Sequence, residues 1–233
     1  AANLVATPQI RAMATVGGNL CSDTRCNYYD QSYLWRRAVD FCLKKDGDIC
    51  RVAPGSPRCW AVSSSDLAPV CVALGARVRL VSLRGERTTP IRDFFRDDGI
   101  THLDKTPDEI LAEVILPPPD GLLSTYLKLR RRGATDFPAL GMAVAARIDA
   151  HGRCESIRIV VGAVAPSPLE VEEAERLLLG NRLTDDLIEK AADAVFKTVR
   201  PMDNTDLTPY YRKRVAPLYV RQALKDLARQ ASR

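Results

Sequence analysis

Apolar positions follow regular periods from Leu67 onward and are irregular before it. Leu67-Ala68-Pro69-Val70-Cys71-Val72-Ala73-Leu74 predicts a helix, with Ser63-Ser64-Ser65-Asp66 as its N-cap and Gly75 as its stop. Pro69 falls in the first turn, where proline is tolerated. Residues 77–83 alternate Val78 and Leu80 against Arg77 and Arg79, which predicts a half-buried strand turned at Gly85. Ile91-Arg92-Asp93-Phe94-Phe95 predicts a short amphipathic turn, and residues 109–116 a strand ending at Pro117-Pro118-Pro119.

That triple proline divides the chain into residues 1–117 and 118–233. After it come three predicted strands, 124–131, 140–149 and 156–165, with His151-Gly152 as the hairpin between the last two. Three helices follow: 171–179 stopped by Gly180, 185–199 stopped before Pro201, and 209–231. Strands followed by helices predict an α+β module, a three-stranded antiparallel sheet covered on one face. At the other end, residues 1–13 read as the tail of a helix, and Gly17-Gly18 forces a turn.

Residues 22–62 have a different texture. A short helix is expected within 27–37, and Lys44-Lys45-Asp46-Gly47-Asp48 and Pro54-Gly55-Ser56-Pro57 are turns. Apolar residues are too few for a core, so a segment of this length must be disordered or held by something else. It carries Cys26, Cys42, Cys50 and Cys59 and no histidine. Thiolates are soft ligands that select zinc, copper(I) or iron–sulfur clusters. Structural zinc sites favour two tight C-x2–4-C pairs, which are absent, while iron–sulfur clusters accept irregular spacing. Spacing alone leaves open an iron–sulfur cluster, a zinc site or four unligated thiols. Cys71, on an apolar helix face, reads as core. Cys154 lies beside the hairpin, and Cys21 is a flavin neighbour or a spare thiol.

Composition narrows the class. In 233 residues, 46% are hydrophobic and 27% charged, as in ordinary globular proteins. No run of about 18 apolar residues is long enough to span a membrane. The first eight residues lack the charged and apolar regions of a secretory signal. The opening on alanine suggests a trimmed or partial chain. The net charge of +5 is modest, and Arg130-Arg131-Arg132 and Arg212-Lys213-Arg214 read as solvated or partner-facing surface rather than nucleic-acid sites. Seven cysteines, an odd number with five between 21 and 59, point to a reducing compartment, the cytoplasm, and to metal ligation rather than disulfides.

The glycine turn gains meaning from its context. Gln9-Ile10-Arg11 precedes Ala14-Thr15-Val16-Gly17-Gly18-Asn19. Ser65-Asp66-Leu67-Ala68-Pro69, Asp108-Glu109-Ile110-Leu111 and Tyr126-Leu127-Lys128 follow, then Gly162-Ala163-Val164-Ala165-Pro166. This series resembles the FAD-binding medium subunit of the xanthine oxidase family of molybdenum hydroxylases. The resemblance covers nearly the whole chain except about 40 residues, since the family runs almost directly from the glycine turn to the later helix. The cysteine-bearing residues 22–62 stand at that place. Such an insertion resembles the 4-hydroxybenzoyl-CoA reductase branch, whose subunit carries FAD and an additional [4Fe-4S] cluster.

The resemblance implies the C-terminal half of a two-part FAD-binding domain. It places Thr15, Val16, Gly17, Gly18 and Asn19 at the family's second flavin motif, their N–H groups near pyrophosphate oxygens. Asp66 matches the acidic residue of the later segment, Leu111 a flavin contact and Lys128 a flavin-proximal lysine. Bland readings stand beside these: Asp66 as an N-cap, Leu111 as core, Lys128 as surface charge. Cys26, Cys42, Cys50 and Cys59 become the implied cluster ligands. The implied partners are a molybdopterin-binding large subunit, a [2Fe-2S] small subunit and ferredoxin as donor. No residue here is then catalytic, and neither His102 nor His151 sits in a catalytic constellation. The family's earlier glycine-rich FAD motif has no counterpart in this sequence. Two other readings are an oxidatively working relative and a zinc-stapled module without redox activity.

Overall fold

The longest buried strand carries apolar residues at both parities, and the fold is built around it. The computed structural model describes residues 1–231. In it Leu140–Ile148 forms a strand, β5, flanked by β4 (Leu122–Leu129) and β6 (Cys154–Gly162). A two-residue strand, β7 (Leu169–Glu170), completes an antiparallel sheet of order β4-β5-β6-β7. The hairpin between β5 and β6 closes through Gly152, whose φ of 78° suits only glycine well.

On one face of β5, Leu140, Met142, Val144 and Ala146 pack against the three C-terminal helices. These are α6 (Glu172–Leu178), α7 (Asp185–Thr198) and α8 (Pro209–Ala231). On the other face Ala143 and Ala145 join a second core beneath α4 (Leu67–Leu74). The sheet is therefore covered on both faces, not on one. The reason is legible in β5: small residues occupy the positions that a solvated face would give to polar ones.

The second core closes on a smaller antiparallel sheet of order β2-β1-β3, from β1 (Arg77–Ser82), β2 (Gly85–Pro90) and β3 (Ile110–Ile115). β2 escapes sequence reading because Gly-Glu-Arg-Thr-Thr-Pro has no apolar position. It is an exposed edge, held by its ladder to β1 and by Arg79, which pairs with Glu86 and Glu113 across the sheet. The short helix α5 (Ile91–Phe94) buries Ile91 and Phe94, as its pattern predicts.

Three expectations about local structure change. Residues 1–13 are not one helix tail: Ala2–Leu4 is a 3-10 turn, and a separate helix α1 (Pro8–Met13) starts at a Thr7 cap with Pro8 in its first turn. Gly17-Gly18 does not turn the chain through positive φ. Both glycines lie inside a five-residue helix, α2 (Val16–Leu20), whose Thr15 Oγ1 accepts the Gly18 N–H at 2.9 Å. The second basic run is not all surface. Arg212 is fully buried, and its guanidinium donates to the Ala163 and Met202 carbonyls. It staples the start of α8 to the end of β6.

Candidate functional site

The α2 turn is fixed from behind by a polar lattice. Asn19 Oδ1 accepts from Ser65 Oγ at 2.7 Å and from the Leu67 N–H at 3.1 Å, tying α2 to the start of α4. Ser65, not Asp66, caps α4, its Oγ accepting the Ala68 N–H at 3.0 Å. Asp66 is thereby freed for another task. Its two oxygens take Tyr126 Oη at 2.9 Å and Lys128 Nζ at 2.8 Å. Lys128 also donates to the Leu4 carbonyl at 2.9 Å. The Asp66 and Lys128 side chains are 4% and 1% exposed, so this is a buried ion pair linking α4, β4 and the N-terminal turn. Burial first, then the Asp66 charge, holds the Tyr126 hydroxyl well above its ordinary range.

Thr15, Val16 and Gly18 lie on the outside of this lattice and are exposed. The first N–H groups of a helix lack intrahelical partners, so those of Val16 and Gly17 have none within α2. A Cβ on Gly17 would sit 3.7 Å from Leu111, which backs the turn from β3. The structure thus gathers Thr15 to Asn19 and Leu111 around one bare stretch of backbone, with Asp66 and Lys128 bonded to each other behind it.

The second locus is residues 22–62. The segment leaves and rejoins the body at one point, where Arg25 and Val62 exchange backbone hydrogen bonds at 2.9 and 2.8 Å. Tyr33–Ala38 forms helix α3, capped by Ser32, a shorter helix than expected within 27–37 and shifted toward its end. Asn204, buried in the connection before α8, accepts from the Asn27 N–H and donates to the Trp60 carbonyl. The expectation that the segment has no core needs one correction. Cys26, Cys59 and Ala61 form a small one with Tyr28, Tyr29, Leu43 and Val52.

Cys26, Cys42, Cys50 and Cys59 are all buried and line one hollow. All seven cysteines of the chain are unpaired. Desolvation is the main cause that pushes the Cys26 thiol up to about 11, and the other three cysteines add to it. The Cys59 thiol is also raised, again chiefly by burial. Such thiols would be inert without a cation to stabilise their ionised form. Backbone N–H groups already address the sulfurs: Ala61 N–H reaches Cys59 Sγ at 3.4 Å. Among the described residues no group of three or more His, Cys, Asp or Glu side chains is arranged to hold a metal ion. A single zinc needs its thiolates to converge on one point at about 2.3 Å. A four-iron cluster gives each thiolate its own iron, so the sulfurs stand further apart. Four thiols are donors that either group would take.

The wall of this hollow includes a residue that sequence reading overlooked. A Cβ on Gly99 would stand 2.7 Å from Ala61 N and 2.8 Å from Cys59 Sγ. Gly99 is thus the point where the 95–104 loop closes on the cysteine segment. Lys44 is a second such residue, its ammonium within 2.7 Å of the Gly99 carbonyl. A lone glycine and a lone lysine, far apart in sequence, give no motif. Cys71 is core, as expected, and Cys154 is fully buried in the main core. Cys21 packs half-buried at the edge of the second core.

Residues 1–119 match the FAD binding domain in molybdopterin dehydrogenase, and residues 124–227 match the CO dehydrogenase flavoprotein C-terminal domain. The chain belongs to the FAD-binding medium subunits of the molybdenum hydroxylase family. Among its relatives is the aldehyde oxidoreductase FAD-binding subunit PaoB of Escherichia coli, 31% identical over 74% of this chain and 56% of that protein. The glyceraldehyde dehydrogenase medium chain of Sulfolobus acidocaldarius is 29% identical over 71% of this chain and 57% of that protein. The reconstituted CO dehydrogenase from Oligotropha carboxidovorans superposes with a TM-score of 0.72 at 26% identity, over 97% of this chain and 64% of that one. The chain thus spans about three fifths of the length of these relatives. As a medium subunit it has the mixed α+β fold expected of it. No helix among the described residues is long and apolar enough to cross a membrane.

Proposed function

We propose that this chain is part of an electron-transfer subunit that carries FAD and a [4Fe-4S] cluster in a molybdenum enzyme of the 4-hydroxybenzoyl-CoA reductase type. The observation that carries the reading is the hollow lined by Cys26, Cys42, Cys50 and Cys59, four buried thiols in a segment with almost no other core. Thr15 to Asn19 meet the FAD pyrophosphate through backbone N–H groups, and Leu111 backs the flavin side of the turn. Asp66 and Lys128 act as the brace that sets this wall rather than as its surface. Residues 1–117 form the FAD subdomain with the cluster-binding insert, and 118–233 the C-terminal domain.

The two groups supply one-electron exchange at the cluster and conversion to two-electron chemistry at the flavin. The protein's part is to hold them, exclude water and tune them. Substrate and molybdenum sit on the large subunit, a [2Fe-2S] small subunit lies between, and ferredoxin delivers electrons for the reductive removal of the phenolic hydroxyl. The seven unpaired cysteines fit the cytoplasm. A second reading, electron flow outward from an oxidised substrate, is favoured by relatives named as dehydrogenases.

Anaerobic iron and acid-labile sulfide analysis, with a visible spectrum, tests the cofactors. Four irons and four sulfides per chain, with brown absorption bleached by dithionite, is the expected result. A colourless protein with stoichiometric zinc overturns it. Turnover of 4-hydroxybenzoyl-CoA by the assembled complex with a reduced low-potential donor decides the direction.

A further inference from the structure

We propose that Lys44 is the residue that tunes the cysteine-bound centre, its buried ammonium favouring the reduced state and raising the reduction potential. The inference rests on reading the four cysteines as ligands of an iron–sulfur cluster. It goes beyond that reading by assigning the group that adjusts the cluster.

Lys44 follows Cys42 by two residues and lines the same hollow as the four cysteines. Its side chain is 6% exposed. An ammonium has three N–H donors, and here Asp23 Oδ1, Thr24 Oγ1 and the Gly99 carbonyl accept from it, each at 2.7 Å. The ammonium is thus locked in place, also 4.8 Å from the centre of the Tyr29 ring. Gly99 in turn donates its N–H to the Cys59 carbonyl at 2.9 Å. One chain of contacts therefore joins the charge to a ligand-bearing residue.

The charges in this corner are unequally screened. Asp23, the counter-ion, is 54% exposed. His102 Nδ1 stands 3.9 Å from the same Asp23 oxygen. Water damps the carboxylate's field, while the ammonium faces the thiols through protein of low dielectric. Of this pair only Lys44 lines the hollow, so the pair acts there chiefly through its positive end. Reduction by a one-electron donor adds a negative charge there and moves no proton. A fixed cation stabilises that state more than the oxidised one.

The test is an EPR-monitored redox titration of the full-length protein in its native complex, with dithionite as reductant and iron and sulfide assayed in parallel. Lys44→Met is expected to keep its iron and titrate at a more negative potential. Lys44→Arg, which keeps the charge, is expected near the parent value. Asp23→Asn removes the counter-charge and keeps an acceptor, and is expected to shift the potential positive. Unmoved potentials in cluster-replete variants overturn the role of Lys44 and leave the cluster reading standing. If Lys44→Met loses its iron, Lys44→Gln, which keeps N–H donors without the charge, decides, and an unmoved or positive shift there overturns the proposal. A parent protein with zinc and no sulfide overturns both readings together.

Discussion

Lys128 Nζ stands 2.8 Å from the Asp66 carboxylate, across 62 residues of sequence and out of reach of solvent. Each charge has a second partner, Tyr126 on one side and the Leu4 carbonyl on the other. Removing one partner leaves the other buried and uncompensated. Lys128→Met is therefore expected to destabilise the protein by about 3–5 kcal/mol, read by chemical denaturation. Retained stability would mean that water reaches Asp66.

Gly99 makes a steric prediction with no charge in it. Its φ is not in the left-handed region, so alanine fits the backbone and fails only on space. The new Cβ would meet Ala61 N and Cys59 Sγ below 3 Å; the two are hydrogen-bonded to each other, and the Cys59 carbonyl is held by the Gly99 N–H. Gly99→Ala is expected to cost about 1–3 kcal/mol and to lower iron content. Gly55→Ala, with open space around it, is the control and should change neither. Denaturation and metal analysis on both variants check this.

Most elements were legible because their periods were clean. β1, β3 and the three strands and helices after Pro119 fall within a few residues of expectation. What the pattern lacked was any signal for β2, whose residues are all polar, glycine or proline, or for β7, which is two residues long. The cysteines were legible as a group, because they are four soft donors in a stretch poor in apolar residues. Their surroundings were not. Lys44, Gly99 and Asn204 act through the fold, and each is ordinary in its own local sequence. Asp66 stands at the N-cap position within the run read as the cap, but the side chain that accepts the capping N–H is that of Ser65. One turn of a helix start offers two capping candidates, and only the packed structure chooses between them.

The cysteines themselves separate by role. Cys42 lies in the hollow, and Cys71 lies in the second core under α4. Cys42→Ser is expected to lose the metal centre and to loosen residues 22–62, because ligation there substitutes for a core. Limited proteolysis should then cut within that segment while the two sheets stay intact. Cys71→Ala should leave iron content unaltered and lower only global stability, through a small packing loss. Full iron in Cys42→Ser with unchanged proteolysis would contradict the assignment.

Glu175 gives the fold a pH dependence that is independent of any cofactor. Its Oε1 accepts the Ile159 N–H at 2.8 Å, where α6 meets β6. Burial, more than the nearby Glu170, pushes its carboxyl from 4.5 up to about 7, against the lowering effect of that N–H bond. The folded state therefore holds this proton more tightly than the unfolded chain does. Between pH 4.5 and 7 the native protein binds more protons, so this contribution to stability is present at the acid end. It is lost as pH rises through 7. Glu175→Gln keeps an acceptor for Ile159 and has no proton to lose. The variant is expected to flatten the fall in stability across that window and to match or exceed the parent above it. Denaturation midpoints measured at pH 5, 6, 7 and 8, about one unit apart to span the window, test this. Parallel curves for parent and variant would show that the carboxyl stays solvated.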